Sequence, residues 1–144
     1  MQSSLGRDPL FLARALLVAG ALVSGGFGLL YTVRPEWLAG VVDIALPTAS
    51  ARADFRAIYG GAELGMALFF ALAARRPAWV RPGLAALALI VGGFGAARLG
   101  SLALDAAPAR GAAAVLWAVG ATELASALLC AWALKRLNHA APVA

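Results

Sequence analysis

The chain has 144 residues, 62% of them hydrophobic and 13% charged, with a mean hydropathy of +0.84. Soluble domains are about 45–50% apolar and about 25% charged, and a soluble fold of this length has too little interior to hide so much apolar surface. Composition therefore excludes a water-soluble domain, and length suits one compact unit.

The net charge is +5 and the calculated pI about 10.7. Nucleic acid is not the expected partner, because the basic residues flank apolar stretches and read as a topology signal beside anionic lipid. The single cysteine, Cys130, lies in an apolar run, so neither an internal disulfide nor a CxxC pair exists. The single histidine, His139, has no paired ligands around it, which argues against haem or zinc. No cofactor and no metal are expected.

In chain order, four apolar stretches are long enough to span: about 10–31, 55–74, 84–104 and 112–134. Each is near the roughly 20 residues that a helix needs to cross about 30 Å of hydrocarbon. Ala and Leu dominate them, which favours helix over strand. The expected fold is all-α, an integral membrane four-helix bundle in one domain over 1–144. Ala19-Gly20-Ala21 in the first stretch looks like a signal-peptide cleavage site, but the apolar run continues to Leu30, so a retained helix is expected.

Arg75-Arg76-Pro77 closes the second helix and Arg81-Pro82-Gly83 opens the third. Asp105 and Pro108 close the third, and Lys135-Arg136 the fourth. The 1–2 loop, about 32–54, is the longest. Its Pro35-Glu36-Trp37-Leu38 and Val41-Val42-Asp43-Ile44 read either as a short amphipathic helix on the membrane surface or as an irregular loop anchored by Trp37. Seven basic residues (Arg7, Arg14, Arg75, Arg76, Arg81, Lys135, Arg136) fall on one side of the bundle. The four on the other side (Arg34, Arg52, Arg56, Arg110) are matched by Glu36, Asp43, Asp54 and Asp105. The positive-inside rule then puts both termini in the cytoplasm of a multi-pass protein of a bacterial inner (plasma) membrane.

Gly25-Gly26-Phe27-Gly28 recurs as Gly92-Gly93-Phe94-Gly95, and Glu63-Leu64 as Glu123-Leu124. The chain thus reads as a duplicated two-helix hairpin with its symmetry axis along the membrane normal. The offsets, 67 and 60 residues, differ, and the alternative is a chance recurrence in a Gly/Ala/Leu-rich chain. Gly60, Gly61, Gly65, Gly92, Gly93 and Gly95 are expected at close helix contacts.

The residues that could carry chemistry are ionisable and lie inside the spans. Glu63, Glu123 and Arg98 sit eight, eleven and six residues from the outer ends of helices 2, 4 and 3, or about 12, 16 and 9 Å deep. A charge at mid-bilayer costs at least about 2.5–3.5 kcal/mol, so these groups should face inward and find partners. Arg56, Tyr59 and Glu63 are spaced as one helical stripe, as are Arg98, Ser101 and Asp105; Thr122, Glu123 and Ser126 form a polar patch on helix 4. Together they are expected to line an outward-facing pocket. Two arginines against three acids leave one negative charge over. Either a cation joins, or a proton is shared between Glu63 and Glu123, since burial penalises the charged carboxyl. An Arg98–Glu pair that only holds helices in register is the structural alternative. No nucleophile–base set, phosphate-cradling loop or metal cluster is present in the sequence, so enzymatic activity is not the expected role.

The segment Asp54-Phe55-Arg56-Ala57-Ile58-Tyr59-Gly60-Gly61-Ala62-Glu63-Leu64-Gly65, with Gly92 to Ser101 and Glu123-Leu124, resembles a bacterial family of small four-helix membrane proteins catalogued as a domain of unknown function. The resemblance covers helices 1 to 4. It implies the fold, points to Arg56, Tyr59, Gly60, Gly61, Glu63, Arg98 and Glu123, and implies no activity. A looser likeness is to DoxX-like proteins, which rests on the four-helix architecture and the Gly-rich first helix and implies a quinone-linked role. Small multidrug exporters share the helix count, but their essential Glu lies in the first helix, where Arg14 is the only charge here. The leading expectation is binding or transfer of a small, partly polar ligand. Arg56 and Arg98 would hold an anionic or carbonyl group, and Tyr59 would donate a hydrogen bond. The rivals are an accessory subunit of a larger membrane complex and a quinone-linked redox partner. The expected partners are the lipid bilayer, a small molecule or quinone, and a membrane protein or a second copy.

Overall fold

The computed structural model of the protein describes residues 9–104 and 110–140, with backbone alone at Arg110, Gly111 and Ala140. Arg7, Asp105 and Pro108 lie outside the described residues. Every regular element among the described residues is a helix: α1 (Pro9–Val33), a short α2 (Pro35–Val41), α3 (Ala49–Arg75), α4 (Pro77–Leu104) and α5 (Arg110–Ala140). The fold is all-α, and α1, α3, α4 and α5 are each long and apolar enough to cross a membrane. This is a multi-pass membrane protein.

Two helix starts differ from the sequence expectation. α3 begins at Ala49 rather than near Phe55, because Thr48 caps it: its side chain accepts the Ala51 N–H at 3.0 Å. α4 begins at Pro77 rather than Leu84. Pro77 takes the first helical position, where a missing N–H costs nothing. Pro82 lies one turn further in and stays helical, leaving one residue, Arg76, between α3 and α4. The long loop does contain a short helix, over Pro35–Val41, rather than running irregular throughout. That helix buries Leu38 and Ala39 against the bundle and leaves Trp37 exposed.

α3 also contains a π-helical segment, Arg56–Gly61, ending in the poor helix formers Gly60 and Gly61. An extra residue in a turn rotates everything before it by about 100° relative to everything after it.

α1 packs chiefly on α3, and α4 on α5. The two hairpins meet through α3 on α4, α1 on α5 and α1 on α4. The tight core sits at the end of the bundle that carries Arg14, Arg75, Arg76, Arg81, Lys135 and Arg136. There Ala13 and Leu17 of α1, Phe70 and Ala73 of α3, Val80 and Leu84 of α4, and Cys130 and Ala133 of α5 are buried together. Outward faces carry Leu22, Leu89 and Leu128, as lipid-facing helices should.

The buried positions repeat between the hairpins. Ala13, Leu17 and Gly28 of α1 recur 67 residues on as Val80, Leu84 and Gly95; Gly60, Phe70 and Ala73 of α3 recur 60 residues on as Gly120, Cys130 and Ala133. The contacts repeat too. A Cβ on Gly28 would meet the Leu64 side chain at 2.9 Å and the Gly60 carbonyl at 3.1 Å; one on Gly95 would meet the Leu124 side chain and the Gly120 carbonyl, each at 3.0 Å. Both glycines let backbones approach where a side chain would force them apart. The recurrence is therefore structural. The two offsets differ because the connection inside the second hairpin is the shorter one.

Candidate functional site

At the end opposite the core, the four long helices surround a cavity of about 370 Å³. Phe27 and Tyr31 of α1, Phe55, Tyr59 and Glu63 of α3, Phe94 and Arg98 of α4, and Val115, Val119 and Glu123 of α5 line it. Leu38, Val41, Val42 and Ile44, from α2 and the turn after it, form its roof.

Arg98 and Glu123 form a bidentate pair. Nε donates to Oε2 and an Nη to Oε1, both at 3.0 Å. Local sequence makes this reach possible. Gly120, one turn before Glu123, presents no side chain, and the Arg98 stem and Leu99 cross α5 over that gap. The planar guanidinium then meets the carboxylate fork to fork, the strongest ion-pair geometry available to these side chains. Both side chains are largely but not fully covered, at 32% and 16% exposure.

Glu63 stands fourteen residues from the start of α3, roughly 20 Å along the helix and near mid-span. It has no ion pair among the described residues; its near hydrogen-bonding neighbour is the Ser24 hydroxyl of α1. Four aromatic rings of the cavity lining pack against one another, tilted or edge-on. Tyr31 lies 5.5 Å from Phe55 and 5.6 Å from Tyr59, Phe55 lies 4.5 Å from Tyr59, and Phe27 lies 6.1 Å from Tyr31. These are ordinary aromatic packing distances.

The roof is tied down at several points. Arg52 of α3 pairs with Glu36 of α2 at 3.4 Å and donates to the Leu46 carbonyl. Asp43 turns the chain after α2 in the left-handed region (φ 59°), which a short polar side chain tolerates better than most.

Of the residues singled out from sequence, Tyr59, Glu63, Arg98 and Glu123 share the cavity. Arg56 does not line it; its Nε donates to the Thr32 carbonyl at 3.0 Å, tying α3 to the end of α1. The π-helical segment separates Arg56 from the face that carries Glu63, so the regular spacing of the stripe does not hold. Ser101 is exposed and also outside the cavity wall. Among the glycines, Gly60, Gly92 and Gly95 face neighbouring helices, Gly61 meets only its own helix, and Gly65 and Gly93 face open space. Gly20 and Gly28, which the small-residue spacing of the first helix also marks for close approach, do make close contacts, and so do Gly83 and Gly120, which the sequence reading missed. It missed α1 and the roof as cavity walls as well. The 67-residue offset could have found Tyr31, since it maps Arg98 onto that position.

Among the described residues no cluster of His, Cys, Asp and Glu could hold a metal ion. The arrangement suits non-covalent binding: apolar and aromatic walls, one satisfied ion pair, and one acid without a counter-charge.

Residues 12–134 match a family described as a domain of unknown function, DUF4345. The chain belongs to the DUF4345 family. No curated protein and no solved structure matches it. The match runs from α1 into α5 and so takes in every helix that lines the cavity.

Proposed function

We propose that this DUF4345 protein binds a small amphipathic molecule in the cavity between its four long helices. The observation that carries this reading is a roofed cavity of about 370 Å³, apolar along its walls, with Glu63 and the Arg98–Glu123 pair on its lining. Small-molecule sites have this make-up: mostly apolar lining, a few convergent polar groups, and volumes of roughly 300–1,000 Å³. Ionisable groups kept within a membrane span are expensive, and binding gives them a use. The pocket opens towards the outer face of a bacterial inner membrane, with both termini in the cytoplasm. The Lys and Arg asymmetry supports that orientation. The Arg98 charge is balanced by Glu123, and Arg56 lies outside the cavity lining with its Nε on the Thr32 carbonyl, so the lining carries no surplus positive charge for an anionic group.

Native mass spectrometry of the gently solubilised protein tests this. The wild type is compared with Val119→Trp, which fills the cavity from α5. The expected result is a small molecule on the wild type that is lost from the variant, with thermal unfolding unchanged within a few degrees. Equal occupancy in both would overturn the reading. Reporter fusions at the two termini test the orientation; a periplasmic signal from either would overturn it.

A further inference from the structure

The two hairpins are built alike, so their polar residues can be compared position by position. Glu63 of α3 corresponds to Glu123 of α5, at the same 60-residue offset that relates Gly60 to Gly120 and Ala73 to Ala133. Arg98 of α4 corresponds to Tyr31 of α1, at the same 67-residue offset that relates Gly28 to Gly95 and Leu17 to Leu84. The second hairpin therefore holds an acid and an arginine, paired through two contacts of 3.0 Å. The first holds an equivalent acid, Glu63, and a tyrosine at the position of the arginine. All four side chains line the same cavity.

The cations nearest in sequence are turned elsewhere. Arg56 donates to the Thr32 carbonyl, and Arg52 pairs with Glu36. The lining carries one arginine and two glutamates, and the Arg98 charge is paired with Glu123, which leaves the Glu63 charge over. The rings of Phe55, Tyr31 and Tyr59 stand in the same cavity, and aromatic faces attract cations. Phe94, Val115 and Ile44 supply apolar wall for a short hydrocarbon body.

We infer that Glu63 is the receptor for the ammonium group of a small amphipathic amine, which takes the place in the first hairpin that the Arg98 guanidinium takes in the second. The inference rests on the binding reading above and names the class of ligand. A charge-assisted hydrogen bond to a carboxylate away from bulk water is about twice as strong as a neutral one, so the preference should be large. An amine is favoured over an alcohol of equal length, and an acid is repelled by the surplus negative charge.

The test uses the full chain in nanodiscs of zwitterionic lipid. Octylamine, octan-1-ol and octanoate are titrated separately, and bound molecules per protein are counted by native mass spectrometry. The wild type should take octylamine at least about tenfold more tightly than octan-1-ol, with octanoate weakest. Glu63→Gln should level amine and alcohol. Tyr31→Arg should give Glu63 an internal partner, leave the protein folded, and exclude octylamine; it keeps the test meaningful should Glu63→Gln fail to fold. If amine and alcohol bind the wild type equally and Val119→Trp displaces both, the pocket stands and the amine inference falls. Undiminished octylamine binding in Tyr31→Arg would overturn the equivalence of the two hairpins at this site. If none of the three distinguishes the wild type from Val119→Trp, the binding reading and the inference fall together.

Discussion

The Arg98 guanidinium and the Glu123 carboxylate join α4 to α5 through two parallel contacts of 3.0 Å, and the gap at Gly120 is what lets the arginine cross. Removing either partner strands the other in a partly covered, lipid-flanked site. Arg98→Ala and Glu123→Ala should each cost about 1.5–3 kcal/mol, as lost hydrogen bonds to a charged group do. Arg98→Met with Glu123→Leu should recover more than half of the loss, because paired apolar residues leave no orphan charge. Thermal unfolding of the four proteins in one detergent checks this; additive losses would show that the pair is not coupled.

Gly28 and Gly95 occupy equivalent places in their hairpins. Gly28→Ala and Gly95→Ala should each destabilise by about 1–3 kcal/mol, the usual cost of overpacking, since the added methyl meets backbone in both. Gly65→Ala and Gly93→Ala face open space and should be neutral or slightly stabilising. Unfolding midpoints for the four variants measure the contrast, and equal effects at all four sites would contradict the packing described.

The π-helical segment sets where the start of α3 faces. Deleting Ala57 should let α3 run as regular helix and turn Phe55 by about 100° away from Tyr31 and Tyr59. The roof contact through Arg52 would turn with it. The expected outcome is a folded protein with α4 and α5 intact and faster alkylation of a cysteine placed at Val42. Unchanged labelling would mean that the segment does not hold the roof.

The roof itself should respond weakly to charge and strongly to backbone. Glu36 is exposed and Arg52 half-buried in a single 3.4 Å pair, so Glu36→Gln should change stability by less than about 1 kcal/mol. Asp43→Gly relieves a left-handed residue and should be neutral or better, whereas Asp43→Val puts a β-branched side chain there and should destabilise by about 1–2 kcal/mol. A midpoint for Asp43→Val at or above that of the wild type would refute the turn.

The four crossing helices were legible in the sequence because a run of about 20 apolar residues has one stable state in lipid, whatever surrounds it. The presence of Arg98, Glu63 and Glu123 inside those runs also marked the region that forms the cavity, since an intramembrane charge must face inward. Even the repeat was written in Gly28 and Gly95, although their equivalence is plain only when both are seen against a carbonyl and a leucine of the next helix. Arg56 was misread as a wall of the pocket because regular 3.6-residue spacing was assumed through Tyr59, and a π turn is a local exception that a pattern of residue types does not announce. Which glutamate receives Arg98, that Tyr31 of α1 lines the same cavity as Arg98, and that α2 folds over the opening were decided by tertiary structure. Each depends on how two helices distant in sequence approach, and that approach is set by the small residues at which they touch.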